Sequence, residues 1–234
     1  MSATGLGVRG FTPPLALADF GLAAFDMDST LITIECVDEI AAFAGRGAEV
    51  AAITEAAMRG EIADYKESLR RRVALLSGVP AAALQRVYDE RLRFNPGAER
   101  LVGACKAAGL KTLLVSGGFT FFTDRVCDRL AIDFARSNVL EIEGGVLTGR
   151  MVDQPWGDIC DGDEKRKMLL ETCASLGLAP SRAIVVGDGA NDLPMMAVAG
   201  LSVAYHAKPK VREATMVSID AGGLDRLLEV VRPS

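Results

Sequence analysis

Three short apolar runs organise the chain, each ending abruptly in small or acidic residues: Gly21 to Phe25 before Asp26, Thr112 to Val115 before Ser116, and Ala183 to Val186 before Gly187. Their length and abrupt ends predict strands. Behind the second run Phe119, Phe122, Val126 and Leu130 recur at helical spacing, and behind the third Leu193, Met196, Ala197 and Leu201 do the same. Strands alternating with helices predict an α/β fold, a Rossmann-like parallel sheet wrapped by helices. In such a sheet the ligand crevice lies beyond the carboxyl ends of the strands, which places Asp26, Ser116 and Asp188 at one edge.

Residues 34–93 break this rhythm, being rich in Ala, Glu, Arg and Leu at helix-type spacing with almost no strand pattern. Gly45 to Gly47, Gly60, and the Ser77, Gly78 and Pro80 cluster divide the segment into about four short helices, and Asn95-Pro96-Gly97 marks the return to the sheet. The expected organisation is a ragged lead-in over 1–19, a catalytic core formed by 20–35 and 94–234, and a helical cap over 36–93. The cap is inserted after the first strand, where it can close over the crevice. Alternation over 139–151, interrupted by Gly144 and Gly145, predicts a two-stranded ribbon.

Composition narrows the chemistry. The 234 residues, half of them hydrophobic, suffice for a full core. With 26 Lys plus Arg against 31 Asp plus Glu, the net charge of -5 gives no reason to expect nucleic acid or an anionic membrane as partner, so a small solute is the default ligand. No segment reaches the ~18 uninterrupted apolar residues a membrane helix needs, and the first nineteen residues lack the pattern of a secretory signal. A cytoplasmic location is expected. With only about twenty residues ahead of the first expected strand, no regulatory domain is expected there. His206 is the single histidine, which excludes His-rich zinc sites and leaves carboxylates to carry most acid–base work; a structural or rim role is expected for it. Five cysteines, at 36, 105, 127, 160 and 173, without a C-x-x-C pair, argue for a reducing compartment.

The strongest chemical signal is Asp26-Met27-Asp28-Ser29-Thr30, an apolar strand running into two carboxylates two residues apart. If the chain stays extended both face one side, one as nucleophile and the other as proton donor; a capped turn ending a strand explains the same residues without chemistry. In Gly187-Asp188-Gly189-Ala190-Asn191-Asp192 the carboxylates suit a hard cation such as Mg²⁺, or a plain strand-to-helix connection. Ser116-Gly117-Gly118 before a helical pattern suits phosphate binding through backbone N–H groups, or simply a turn. Lys165, in a charged run where a helix begins, offers a fixed positive charge, or a solvated face.

Together these four segments resemble the haloacid dehalogenase superfamily of phosphohydrolases, whose D-x-D-x-T, Ser or Thr, Lys, and G-D-x-x-x-D motifs all occur in this chain in order. Within it the chain is most similar to the phosphoserine phosphatases, through Asp26 to Leu31, Glu35, Val37 to Ala41, Ser68 to Val73, Val115 to Phe119 and Ala207-Lys208-Pro209. The resemblance implies hydrolysis of O-phospho-L-serine, as the last step of serine biosynthesis, through an aspartyl-phosphate on Asp26, with Asp28 as general acid and base. It implies Mg²⁺ held by Asp26, the Asp28 carbonyl and Asp188, with support from Asp192. Ser116, Gly117 and Lys165 would bind the phosphoryl group and Asn191 would orient that shell. Glu35 would take the ammonium and Arg72 the carboxylate, with Met58 and Tyr65 closing over the ligand. A homodimer is compatible with this reading. Phosphotransfer to an alcohol such as homoserine remains open as the alternative reaction.

Overall fold

The computed structural model describes residues 5–59 and 61–232, apart from the side chain of Met58; Gly60 lies outside the described residues. In chain order the elements are β1 (Leu6–Val8), β2 (Leu15–Ala16), β3 (Leu22–Phe25), α1 (Cys36–Phe43), α2 (Gly47–Met58), α3 (Tyr65–Ala74), α4 (Ala82–Glu90) and α5 (Ala98–Ala107). There follow β4 (Lys111–Phe119), α6 (Thr120–Leu130), β5 (Phe134–Glu143), β6 (Val146–Val152), α7 (Gly162–Ser175), β7 (Ala183–Gly187), α8 (Leu193–Met196), β8 (Leu201–Tyr205), α9 (Pro209–Ala214), β9 (Val217–Ile219) and β10 (Val231–Arg232).

The main sheet runs β1-β9-β8-β7-β3-β4-β5-β6, parallel except at its two edges, where β1 opposes β9 and β6 opposes β5. Every residue of β3, β7 and β8 is buried, as expected of strands covered on both faces. Period-two alternation divides β3 between two cores: Ala23 and Phe25 pack on one face, Leu22 and Ala24 on the other. The second core includes Leu169 and Cys173 of α7. The chain leaves β3 for β4 on one side and reaches β7 on the other, so the carboxyl end of β3 is the topological switch point.

Helices α1 to α5 all intervene between β3 and β4. The segments leading out and back run side by side, with an isolated Ile32–Phe94 bridge and the Thr33 N–H donating to the Arg93 carbonyl at 2.9 Å. The β5–β6 ribbon turns on Gly144 and Gly145, whose φ values of +57° and +80° are what a tight hairpin turn demands. Its second strand exchanges 2.8 Å hydrogen bonds with the insert, Gly78 N–H to Leu147 O and Leu147 N–H to Val79 O.

Three sequence expectations change. The lead-in is not featureless, since Leu6–Val8 pairs at the sheet edge and Leu15–Ala16 pairs with β10, while the helical insertion follows β3, the first parallel strand of the main sheet, as expected. Three residues carrying one glycine give too little alternation to read as a strand. The helical spacing through Leu201 fails because α8 ends at Met196 and Leu201 begins β8. Finally, β4 does not stop at Val115 but continues to Phe119 through a register shift against β5. No helix among the described residues is long and apolar enough to cross a membrane.

Candidate active site

A cavity of about 170 Å³ opens at the carboxyl ends of β3, β4 and β7, lined by Asp26, Asp28, Glu35, Tyr65, Arg72, Ser116, Gly117, Asp188 and Asn191. Val37, Leu69, Gly118, Phe119 and Gly189 complete it. Every sequence-predicted site residue except Met58, Lys165 and Asp192 thus lines one space, and the latter two lie directly behind it. Met58 ends α2, and its side chain lies outside the described residues.

Asp26 follows β3 directly, its N–H donating to the Val186 carbonyl of β7 at 3.0 Å. It continues the Leu22–Ala24 face, towards α7. Asp161 caps α7 by accepting the Glu164 N–H at 2.9 Å, and one turn later Lys165 projects to the carboxylates. Its Nζ lies 2.9 Å from Asp26 Oδ1 and 2.7 Å from Asp192 Oδ1. The Asp192 Oδ2 accepts the Asp188 and Gly189 N–H groups at 3.2 and 3.0 Å. Asp192 therefore holds the lysine with one oxygen and shapes the 188–189 loop with the other.

The two carboxylates of the first motif do not converge by strand alternation. The strand stops at Phe25, and residues 27–31 wind into a tight turn in which Ser29 has φ +56° and the Ile32 N–H reaches the Met27 carbonyl at 3.0 Å. That turn, rather than an extended chain, brings Asp28 to the cavity. Two residues to which the sequence assigned no site role secure it: the Thr30 hydroxyl donates to Asp188 Oδ1 at 3.1 Å, and Asn95 Nδ2 donates to the Thr30 and Ile32 carbonyls at 2.8 and 3.0 Å. Thr30 is the T of D-x-D-x-T and was legible; Asn95 gave only the signal of a loop boundary.

Negative charge is in excess at this site. Burial, then the charge of Glu35, push the Asp28 carboxyl up to about 8, and burial, then Asp192 and Glu35, push Asp188 up to about 7. Asp26 is raised by burial and by Asp192, with Lys165 opposing. Burial works against the Lys165 charge, but Asp192 and Asp26 outweigh it and hold the ammonium protonated. Carboxylate oxygens of Asp26, Asp188 and Asp192 lie within 4.8 Å of one another, an all-oxygen donor set that suits a hard divalent cation and that such a cation would neutralise.

On the side of the helical insert, Tyr65 begins α3 behind the N-capping Asp64 and Arg72 lies two turns further along the same helix. Glu35 precedes α1 and accepts the Ser29 hydroxyl at 2.6 Å; burial raises its carboxyl, with Ser29 opposing. The Tyr65 hydroxyl packs so closely on Gly117 that a Cβ there would overlap it. Two buried polar atoms in the cavity wall, Asp28 Oδ1 and Arg72 Nε, have no hydrogen-bond partner among the described residues. Buried polar atoms are paired with few exceptions, so this marks a place for ligand atoms.

A model of haloacid dehalogenase-like hydrolases matches residues 23–197. The chain is 74% identical over 231 residues to the phosphoserine phosphatase of Albidiferax ferrireducens, covering 99% of this chain and 98% of that protein. It belongs to the phosphoserine phosphatase family of haloacid dehalogenase-like hydrolases. A second family member, from Polaromonas sp., is 75% identical over 228 residues, 97% of each chain. A solved phosphoserine phosphatase carrying a phospho-aspartyl intermediate analogue superimposes with a TM-score of 0.83 at 34% identity, covering 91% of this chain and 99% of that one. The acidic cluster at the ends of β3 and β7 is thus set in the same fold as that phospho-aspartyl analogue. His206 stays outside this chemistry: it stacks on Tyr205 at 4.2 Å, its Nε2 is 2.9 Å from the Gly222 carbonyl, and it does not line the cavity.

Proposed function

We infer that the chain hydrolyses O-phospho-L-serine with Asp26 as the nucleophile. The observation that carries this reading is the pair of unpartnered buried atoms in one cavity wall, an acid oxygen on Asp28 and a guanidinium nitrogen on Arg72. A ligand with an ester oxygen beside Asp28 and an acceptor beside Arg72 satisfies both, and the ester oxygen and carboxylate of phosphoserine are such a pair. The guanidinium fork fits a carboxylate, and Glu35, which lines the same cavity, would take the ammonium.

Lys165 and the Met27 N–H both bond Asp26 through Oδ1, at 2.9 and 2.7 Å, so Oδ2 is the atom presented for attack. Its attack on phosphorus breaks the bond to the serine oxygen, and the Asp28 carboxyl proton goes to that oxygen. Asp28, now a carboxylate, takes a proton from water as the water attacks phosphorus and releases Asp26. A positioned acid of this kind contributes roughly 10²- to 10⁴-fold. Ser116, the Gly117 N–H and Lys165 hold the phosphoryl oxygens, and Asn191 borders them. Mg²⁺ suits the acidic cluster and would be held by Asp26 and Asp188, with the Asp28 carbonyl assigned on the resemblance, where it would supply charge neutralisation. Asp192, with both oxygens engaged, supports that set through Lys165 and the loop. Residues 36–93 act as the cap that brings Tyr65 and Arg72 onto the crevice, and Met58 is assigned as a cap contact on the resemblance alone.

The test is phosphate release from L-phosphoserine and p-nitrophenyl phosphate, with Mg²⁺ or EDTA, by wild type and Arg72→Ala. A loss confined largely to phosphoserine is expected, because p-nitrophenyl phosphate has no carboxylate. Equal losses on both substrates would make Arg72 structural, and transfer of phosphate to added homoserine would change the acceptor while leaving the Asp26 chemistry in place.

A further inference from the structure

We propose that Asn138 is a positioning residue that fixes the direction in which the Ser116 hydroxyl donates its proton, a role resting on the phosphate-site reading of Ser116. Asn138 lies on β5 with 1% of its surface exposed. It stands opposite Phe119 across the stretch where the β4–β5 register shifts between Val115 and Phe119. That shift takes the peptide groups of residues 116–118 out of the regular ladder, and the Asn138 side chain stands in for the missing strand. Its Nδ2 donates to the Gly117 carbonyl at 2.8 Å, and its Oδ1 accepts the Cys160 N–H at 2.8 Å. A backbone acceptor meets one end of the amide and a backbone donor the other, so only one orientation satisfies both.

The Gly117 carbonyl and the Gly118 N–H belong to one planar trans peptide and point in opposite directions. With the carbonyl held by Asn138, the Gly118 N–H is turned to Ser116 Oγ, to which it donates at 2.9 Å. A hydroxyl has one proton and two acceptor sites. Because a fixed backbone donor occupies one acceptor site, the Ser116 proton is directed away from Gly118, and Ser116 itself lines the cavity. The other end of the amide ties this bulge to the segment running from Cys160 into Asp161, the cap of α7, the helix that carries Lys165. One buried amide thus connects two of the groups assigned to the phosphoryl oxygens, without touching substrate itself.

The experiment is a double-mutant cycle on the full chain with Mg²⁺ and L-phosphoserine, using Asn138→Ala, Ser116→Ala and the double variant, with thermal melts of each. Both single variants are expected to lose tenfold or more in kcat/KM, and Asn138→Ala is expected to cost less than threefold further once Ser116 is already Ala. A purely structural role leaves the two losses multiplying, which overturns the inference, as does a folded Asn138→Ala variant with wild-type kcat/KM. If Asn138→Ala does not fold, Asn138→Asp carries the same cycle, since it keeps the volume and the acceptor for Cys160 but sets an acceptor against the Gly117 carbonyl. A wild-type kcat/KM in Ser116→Ala overturns the phosphate-site reading and the inference with it; an impaired Ser116→Ala with multiplying losses overturns the inference alone.

Discussion

The Lys165 ammonium lies 2.7 Å from Asp192 Oδ1, and neither side chain has any exposed surface. A second contact, 2.9 Å to Asp26 Oδ1, makes this lysine the shared counter-ion of two carboxylates. Removing one partner of a buried ion pair costs about 3–5 kcal/mol, because the remaining charge stays buried. Lys165→Met is therefore expected to lower the denaturation midpoint sharply in EDTA, leaving Asp26, Asp188 and Asp192 uncompensated. Added Mg²⁺ should restore more stability to the variant than to wild type. Equal midpoints of variant and wild type in EDTA would mean that the lysine does not stabilise the fold as a counter-ion.

The parallel sheet, the four insert helices and the glycine-turned ribbon were legible because each rests on local periodicity or a turn signal. The order of motifs along the chain was enough to bring Asp26, Ser116 and Asp188 to one edge, since strand ends in a parallel sheet share an edge whatever the loop detail. What stayed hidden depends on contacts between distant segments. Asn138 falls just before the alternation expected over 139–151 and carries no signal of its own, and only the register shift in β4 gives its amide a purpose. Asn95 and the tight turn at 27–31 are of the same kind, since a φ of +56° at Ser29 is invisible in sequence. Leu6–Val8 was missed because an edge strand of three residues has almost no pattern to read.

The insert is tied to the core by charge as well as by backbone. Lys66 of α3 lies 2.8 Å from Asp158 and 3.7 Å from Asp161, and Arg70 also pairs with Asp158. Exposed pairs of this kind contribute roughly 0.2–1 kcal/mol each and are screened by salt. Asp158→Asn should raise the KM for phosphoserine by up to about fivefold at low salt, with a smaller change in kcat. The gap from wild type should close in 1 M NaCl. A gap that persists at high salt would mean that Asp158 acts through shape rather than charge.

Acid stability has an identifiable local contributor at the start of β4. Although burial alone would raise the Asp133 carboxyl, hydrogen bonds from Lys111 and Thr112 hold it down to about 2. The Thr112 N–H and hydroxyl donate to Oδ2 at 2.9 and 2.8 Å, and Lys111 Nζ lies 2.8 Å from Oδ1. A carboxyl whose pKa is depressed on folding stabilises above its unfolded value of about 3.9 and loses that contribution as pH falls towards the folded value. Asp133→Asn should thus lower the melting temperature at pH 7, and the difference from wild type should shrink between pH 5 and pH 3. A constant difference across that range would show that hydrogen-bond geometry, not charge, carries the effect.

The contact between Tyr65 and Gly117 predicts a paired substitution. A Cβ on Gly117 would overlap the Tyr65 hydroxyl oxygen, while the ring carbon bearing that oxygen would stand 3.1 Å away, tight but tolerable after a small shift. Gly117→Ala should therefore displace either the tyrosine or the phosphate-facing backbone and reduce kcat/KM by tenfold or more. Removing the offending oxygen makes room, so Tyr65→Phe in the Gly117→Ala background should recover a substantial part of that loss, even if Tyr65→Phe alone is mildly impaired. Steady-state kinetics on the four proteins decide the matter. Losses that simply multiply would mean that the two residues do not meet in the working enzyme, and that α3 stands further from β4 during turnover than in this structure.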